Sequence, residues 1–227
     1  MLAKTFFTEI ENSTETARSE LQHTAIIAQC LQGIASRESY IAFLTEAYHH
    51  VNHTTPLLMA CGSRLPERLE WLREAIVHYI EEEVGHQEWI LNDLAALGVD
   101  KEQVRHGKPS IHTELMVAYA YDQIHRLNPV GFFGMVYTLE KTSSTIATYA
   151  AQQIASTLSL PAKAMTYMTS HGSLDIEHMQ HFENLVNRLD QDEDKAAILH
   201  SAQVFYHLYT NIFRSLPSSD NSVENTQ

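Results

Sequence analysis

The chain has 227 residues and a formal net charge of −13, from 15 basic and 28 acidic side chains, and 44% of it is apolar. That is enough apolar chain for one well-buried domain. The acidic balance excludes a surface built to neutralise nucleic-acid or anionic-lipid phosphates, and no apolar run approaches the roughly 18 residues of a membrane span.

Glycine and proline are sparse, at 8 and 6 residues. Few turn-formers favour long helices over many short strands. Apolar residues recur with a period near 3.6 almost throughout, which predicts an all-α, single-domain bundle of about seven helices over residues 1–216. The first helix runs from about Thr5 to Leu31, stopped by Gly33. Ser36-Arg37-Glu38-Ser39 caps the second, which carries Ile41, Leu44, Tyr48 and Val51 toward Cys61-Gly62. Pro66 opens a long helix over Glu67 to Leu97, ended by Gly98. A loop follows from Val99 to Pro109, then a helix from about Ser110 to Leu127, ended by Asn128-Pro129. Another spans Val130 to Thr157. Pro161 opens the next, to about Leu189, and the last covers Glu193 to Leu216. The polar tail 217–227 (PSSDNSVENTQ) is predicted to be disordered. Two cysteines, Cys30 and Cys61, make no disulfide framework, and the N-terminus lacks the apolar core of a secretory signal, so a cytoplasmic location is expected.

Fourteen histidines alongside the acidic surplus point toward metal chemistry, and position must decide. In His171-Gly-Ser-Leu-Asp175-Ile-Glu-His178, Asp175 lies about 40° and His178 about 20° from His171 around a helix. The three project from one stripe. Burying them is costly without a partner, which a metal would supply; the bland reading is a solvated polar face, since Glu177, Gln180 and Glu183 share the helix. On the long helix, Glu81-Glu82-Glu83-Val84-Gly85-His86 places Glu83 three residues and Glu82 four residues before His86. The first spacing is the Glu-x-x-His used by carboxylate-bridged di-iron bundles, although acidic runs usually face water. Glu140 follows ten uncharged residues in a helix that reads as buried on most sides, where a lone carboxylate needs a cation. Three helices thus offer Glu82 or Glu83, Glu140 and Asp175 together with His86, His171 and His178. Oxygen and imidazole donors without thiolate suit iron, or manganese, over zinc or copper. About three protein ligands per ion leave open positions, as a catalytic site requires.

This pattern resembles the haem-oxygenase-like di-iron oxidases, which share the fold of haem oxygenase and of the TenA/PqqC proteins. The resemblance covers about residues 10–213 and rests most on Glu140 with His171-x3-Asp175-x2-His178. The stretch ESYIAFLTEAYHHVNHTTPLL is also similar to the second helix of the death-domain-associating proteins that make p-aminobenzoate. The resemblance implies a ligand set of Glu82 or Glu83, His86, Glu140, His171, Asp175 and His178 for two irons. Tyr167, one turn before His171, would face the same pocket as a catalytic residue, and Gly131 to Val136 would help wall it. The implied activity is oxidation of a small organic substrate by O2, with no nucleic-acid or membrane partner; a homodimer is expected. The p-aminobenzoate branch consumes a Tyr of its own and uses a Lys about ten residues after the mid-chain Glu. Here that region reads Thr148-Tyr149-Ala150-Ala151, without Lys.

Three other readings belong beside this one. His23 follows a segment similar to the start of haem oxygenases, where a first-helix His ligates haem. Metal-free TenA hydrolases use a mid-chain nucleophilic Cys, whereas the cysteines here lie earlier, and PqqC-type oxidases need basic residues that are scarce here. An acidic helical domain can also be a protein-interaction module. Glu46 and His53, seven apart on the second helix, read as ligands, as pocket residues or, with the clustered His49 and His50, as a polar face over the pocket mouth.

Overall fold

The computed structural model describes residues 5–218, all of them in helices, turns or short connections, with no strand among the described residues. None of these helices is long and apolar enough to cross a membrane. Of the predicted disordered tail, only Pro217 and Ser218 fall inside this range. The Pro217 carbonyl accepts a hydrogen bond from Ser39 Oγ at 2.7 Å; the rest lies outside the described residues.

The helical class holds, but the expected seven helices are cut into twelve α-helices among the described residues. The first is three: α1 (Phe6–Ser13), α2 (Glu15–Gln22) and α3 (Ala25–Leu31). It breaks first at Thr14, whose hydroxyl bonds back to the Ile10 carbonyl at 2.8 Å. The second divides at Asn52-His53 into α4 (Arg37–Val51) and α5 (Thr54–Arg64). The cap at Ser36 is as expected, its side chain accepting from Ser39 N at 3.0 Å. The long helix divides into α6 (Glu70–Glu83) and α7 (His86–Ala96). Gly85 lies between them at φ +96°, a left-handed conformation that glycine adopts without Cβ strain. The loop after Gly98 holds a short helix, α8 (Lys101–Arg105), capped by Asp100. The remaining helices are α9 (Ile111–Arg126), α10 (Phe133–Leu158), α11 (Thr166–Val186) and α12 (Asp192–Ser215), close to expectation.

The long helices α10, α11 and α12 form the frame: α10 packs along both α11 and α12. Two separate apolar clusters form around them. The larger takes Met135 and Tyr137 from the start of α10 and Met179, Phe182 and Leu185 from the end of α11. The smaller takes Ala150, Ala151 and Ile154 from the end of α10 and Met165 and Met168 from the start of α11. Between the clusters, both helices turn polar and buried at Thr138, Glu140 and Thr142 and at Asp175 and His178. The polar seam therefore sits where two dry cores meet.

Candidate metal centre

Buried acids collect in this seam. Glu140 on α10 is 8% exposed, and Asp175 and His178 on α11 are buried beside it. His171 and Asp175 are in contact (Nδ1 to Oδ1, 3.5 Å), and His178 Nδ1 lies 3.3 Å from the same Asp175 oxygen and 3.6 Å from Glu140 Oε1. The triplet thus lies on one inward stripe, while Glu177 is exposed.

The α6–α7 joint supplies the other wall. Glu83, the last residue of α6, and His86, the first of α7, are both buried. Glu83 Oε2 accepts a hydrogen bond from His86 Nδ1 at 3.0 Å. Donor atoms of Glu83, His86 and His171 all lie within 4.8 Å of one another, a spacing that suits one ion. The His86 and His171 rings meet edge to face at 4.8 Å. Glu82 takes a different position. It is partly exposed, with Oε2 3.1 Å from His178 Nε2 and Oε1 3.5 Å from His78 Nε2. Glu81 faces solvent. The structure therefore brings all seven predicted ligand candidates together, grouping His171 with Glu83 and His86, and His178 with Glu140, Asp175 and Glu82.

The electrostatics are unbalanced. Burial, with the charges of Asp175, Glu83 and Glu82 next, pushes the Glu140 carboxyl well above its ordinary range. For His171, burial lowers the pKa but is outweighed by Asp175 and Glu83, so the imidazole is raised. For His178, burial is outweighed by Asp175, Glu82 and Glu83, again a net rise. Asp175 is raised by burial and lowered further by its two histidines, so it ends low. Two buried donor atoms of the cluster remain without hydrogen-bond partners, Glu140 Oε2 and His171 Nε2. Such orphans are rare and expensive in native interiors. Oxygen and nitrogen lone pairs converging in a dry seam fit a divalent cation that would satisfy them.

Two cavities adjoin the cluster. One of about 90 Å³ is lined by Glu83, Glu140, His171 and Asp175 and closed by Val136 and Leu139. Its walls also include Phe132 and Met135, within the expected Gly131 to Val136 stretch. The other, of about 100 Å³, is apolar, with Ile27, Phe43, Ile146 and Phe213 in its wall. Ser143, Tyr167, His171 and Tyr209 line both. Tyr167 lies where expected, its ring 4.8 Å from that of His171. Burial, then the Tyr209, Asp175 and Glu83 charges, pushes its hydroxyl well up. Asp93 on α7 accepts from Thr166 N at 3.1 Å and Tyr167 N at 2.9 Å, which caps α11 and sets the phase of its ligand stripe.

Several side chains had other roles than sequence alone suggested. Glu46 is no ligand: it accepts from Ser110 N at 3.1 Å and Ser110 Oγ at 3.0 Å, at the start of α9. His53 pairs with the Tyr121 hydroxyl at 3.2 Å. His23 is exposed, with its Nδ1 on the Ser19 carbonyl at 2.7 Å, and Tyr149 is on the surface. Asp93, Tyr209 and Trp89 were missed. Trp89, whose ring stacks 4.0 Å from His86, stands one turn beyond it on α7, so the spacing could have flagged it. His50 is 3% exposed and lines the polar cavity. Burial, then the neighbouring His171, His49 and His53, pushes its imidazole down to about 3.

The chain belongs to a haem-oxygenase-like family of iron-containing redox enzymes, whose sequence model matches residues 41–210. It is similar to a domain of unknown function with a haem-oxygenase-like fold from Shewanella denitrificans OS217, at 26% identity and TM-score 0.79, covering 89% of this chain and 88% of that one. A TenA homologue from Pseudomonas syringae pv. tomato DC3000 shares the fold at 12% identity and TM-score 0.76, covering 93% and 92%. So does haem oxygenase from Leptospira interrogans, at 17% and 0.75, covering 93% and 100%. No curated protein matches the chain significantly.

Proposed function

We propose that this protein is a non-haem di-iron oxidase or oxygenase that uses O2 to oxidise a small organic substrate. The observation that carries this reading is the buried cluster of carboxylates and imidazoles with orphaned donor atoms. Glu83, His86 and His171 would hold one ion, and Glu140, Asp175 and His178 the other, with Glu82 closing the cluster on the solvent side. Bound ferrous iron supplies electrons and open coordination positions for O2. The protein's own residues do the rest. Asp175 fixes the orientation of both α11 histidines, and Glu83 fixes that of His86. The apolar walls exclude water, and the Tyr167 hydroxyl, held protonated by burial, offers a donor at the edge of the site.

The alternatives find less support. A haem reading lacks its first-helix ligand, since His23 faces solvent. A TenA-like hydrolase needs an activated thiol. Cys30 does line the apolar cavity, but burial pushes its thiol up to about 11.

The test is metal content by plasma mass spectrometry after anaerobic loading with ferrous iron, or with Mn2+, and desalting. Close to two ions per chain is expected, falling to one or none in His171→Ala and Asp175→Ala while the fold persists by circular dichroism. Full iron retention in both variants would sink the assignment.

A further inference from the structure

His50 is the one buried imidazole on the cavity wall outside the acid–imidazole cluster. It comes from α4, across the cavity from α11, and does not belong to the group whose donor atoms converge on one ion. Its Nδ1 has no hydrogen-bond partner although the side chain is almost wholly enclosed. Its ring meets the Tyr209 ring edge to face at 5.9 Å, which sets its plane. A neutral imidazole can give or take one hydrogen bond but offers no charge.

The two cavities add a shape. They abut at Ser143, Tyr167, His171 and Tyr209. One end is apolar, and the other holds His50 facing the carboxylates. No Lys or Arg lines either, among the described residues. A wholly apolar molecule would leave the His50 nitrogen unpaired, a mismatch that sites discriminate against strongly.

We propose that His50 is a specificity-determining residue that hydrogen-bonds the hydroxyl of an alcohol or phenol whose remaining body is apolar and fills the second cavity. This rests on the oxidase reading and names its substrate class.

The experiment is calorimetric titration with 4-ethylphenol and ethylbenzene as probes. It is run anaerobically on the metal-free and the ferrous protein, for wild type, His50→Phe and His50→Gln. Wild type is expected to prefer 4-ethylphenol over ethylbenzene by about tenfold. His50→Phe should erase the phenol preference while keeping ethylbenzene binding, and His50→Gln should restore most of it. Both variants should keep wild-type iron content. An unchanged preference in His50→Phe overturns the inference, as does loss of iron from either variant, or no binding of either probe to wild type. Absence of iron from the wild type itself would defeat the oxidase reading instead, and the metal-free titrations would still decide the role of His50.

Discussion

α10 and α11 pack tightly at Gly172, one residue from a predicted ligand, which makes Gly172→Ala an informative perturbation. A Cβ at Gly172 would stand 2.3 Å from Thr148 Oγ1, 3.0 Å from Thr148 N and 3.3 Å from Thr148 Cα. The hydroxyl can rotate only among the few rotamers of a β-branched side chain, and the backbone atoms cannot rotate away at all. The helices must therefore separate by several tenths of an ångström. Overpacking of this kind costs about 1–3 kcal/mol, and replacing a helical glycine by alanine returns about 0.5–1 kcal/mol. The net expectation is a loss of about 1–2 kcal/mol, or a melting temperature lower by about 2–8 °C for a chain of this length. The functional effect should be larger. Metal–ligand distances tolerate only about 0.2 Å, and His171 moves with its neighbour, so iron content should fall well below wild type. Gly62→Ala is the matched control: its Cβ would meet Ile76 Cγ2 at 3.4 Å and Arg73 Cγ and Ile76 Cδ1 at 3.9 Å, all ordinary contacts. That variant should melt at or above wild type and keep its iron. Thermal melts by circular dichroism and metal analysis read both quantities. A Gly172→Ala protein that melts like wild type with full iron would refute the reasoning.

Asp93→Ala removes the acceptor for Thr166 N and Tyr167 N and should cost about 2 kcal/mol in urea unfolding, with Asp93→Asn recovering most of it; equal losses in the two variants would argue against capping. Metal binding should release protons. Burial and neighbouring acids raise Glu140, and acids outweigh burial to raise His171 and His178, so at neutral pH the metal-free site favours protons that an ion must displace. Apparent affinity for Mn2+ should therefore rise from pH 6 to pH 8, and titration should acidify a weakly buffered sample. A pH-independent affinity without proton release contradicts this account.

Much of the frame was legible because its signals are local. Ser36 caps α4, Gly98 follows α7, and Asn128-Pro129 and Pro161 punctuate α10 and α11 where expected. The shared inward stripe of His171, Asp175 and His178 on α11 followed from helical phase alone. What escaped were breaks that preserve hydrophobic periodicity. The first helix breaks at Thr14 and the long one at Val84-Gly85, neither with a change in the apolar pattern. His50 escaped for another reason. Its neighbours His49 and His53 look alike in sequence, and only the packing of α4 against the other helices separates a cavity-lining imidazole from one held by Tyr121. Asp93 was hidden because a cap contributed from a distant helix leaves no signature beside the helix it caps.

The left-handed joint at Gly85 bears on how this protein can be found by its sequence. In an unbroken helix, the spacing between two donors is a rigid property: adding a residue between them swings one away by about 100°. Here Glu83 closes one helix and His86 begins another, so each donor answers to the packing of its own helix. An inserted residue at the joint can be absorbed by the connection while both side chains keep their stations. The three-residue interval is therefore a local accident of linker length, whereas the interval across α11 is fixed by the helix itself. Searches for kindred sites should hold the His-x3-Asp-x2-His portion strict and let the Glu-to-His gap float.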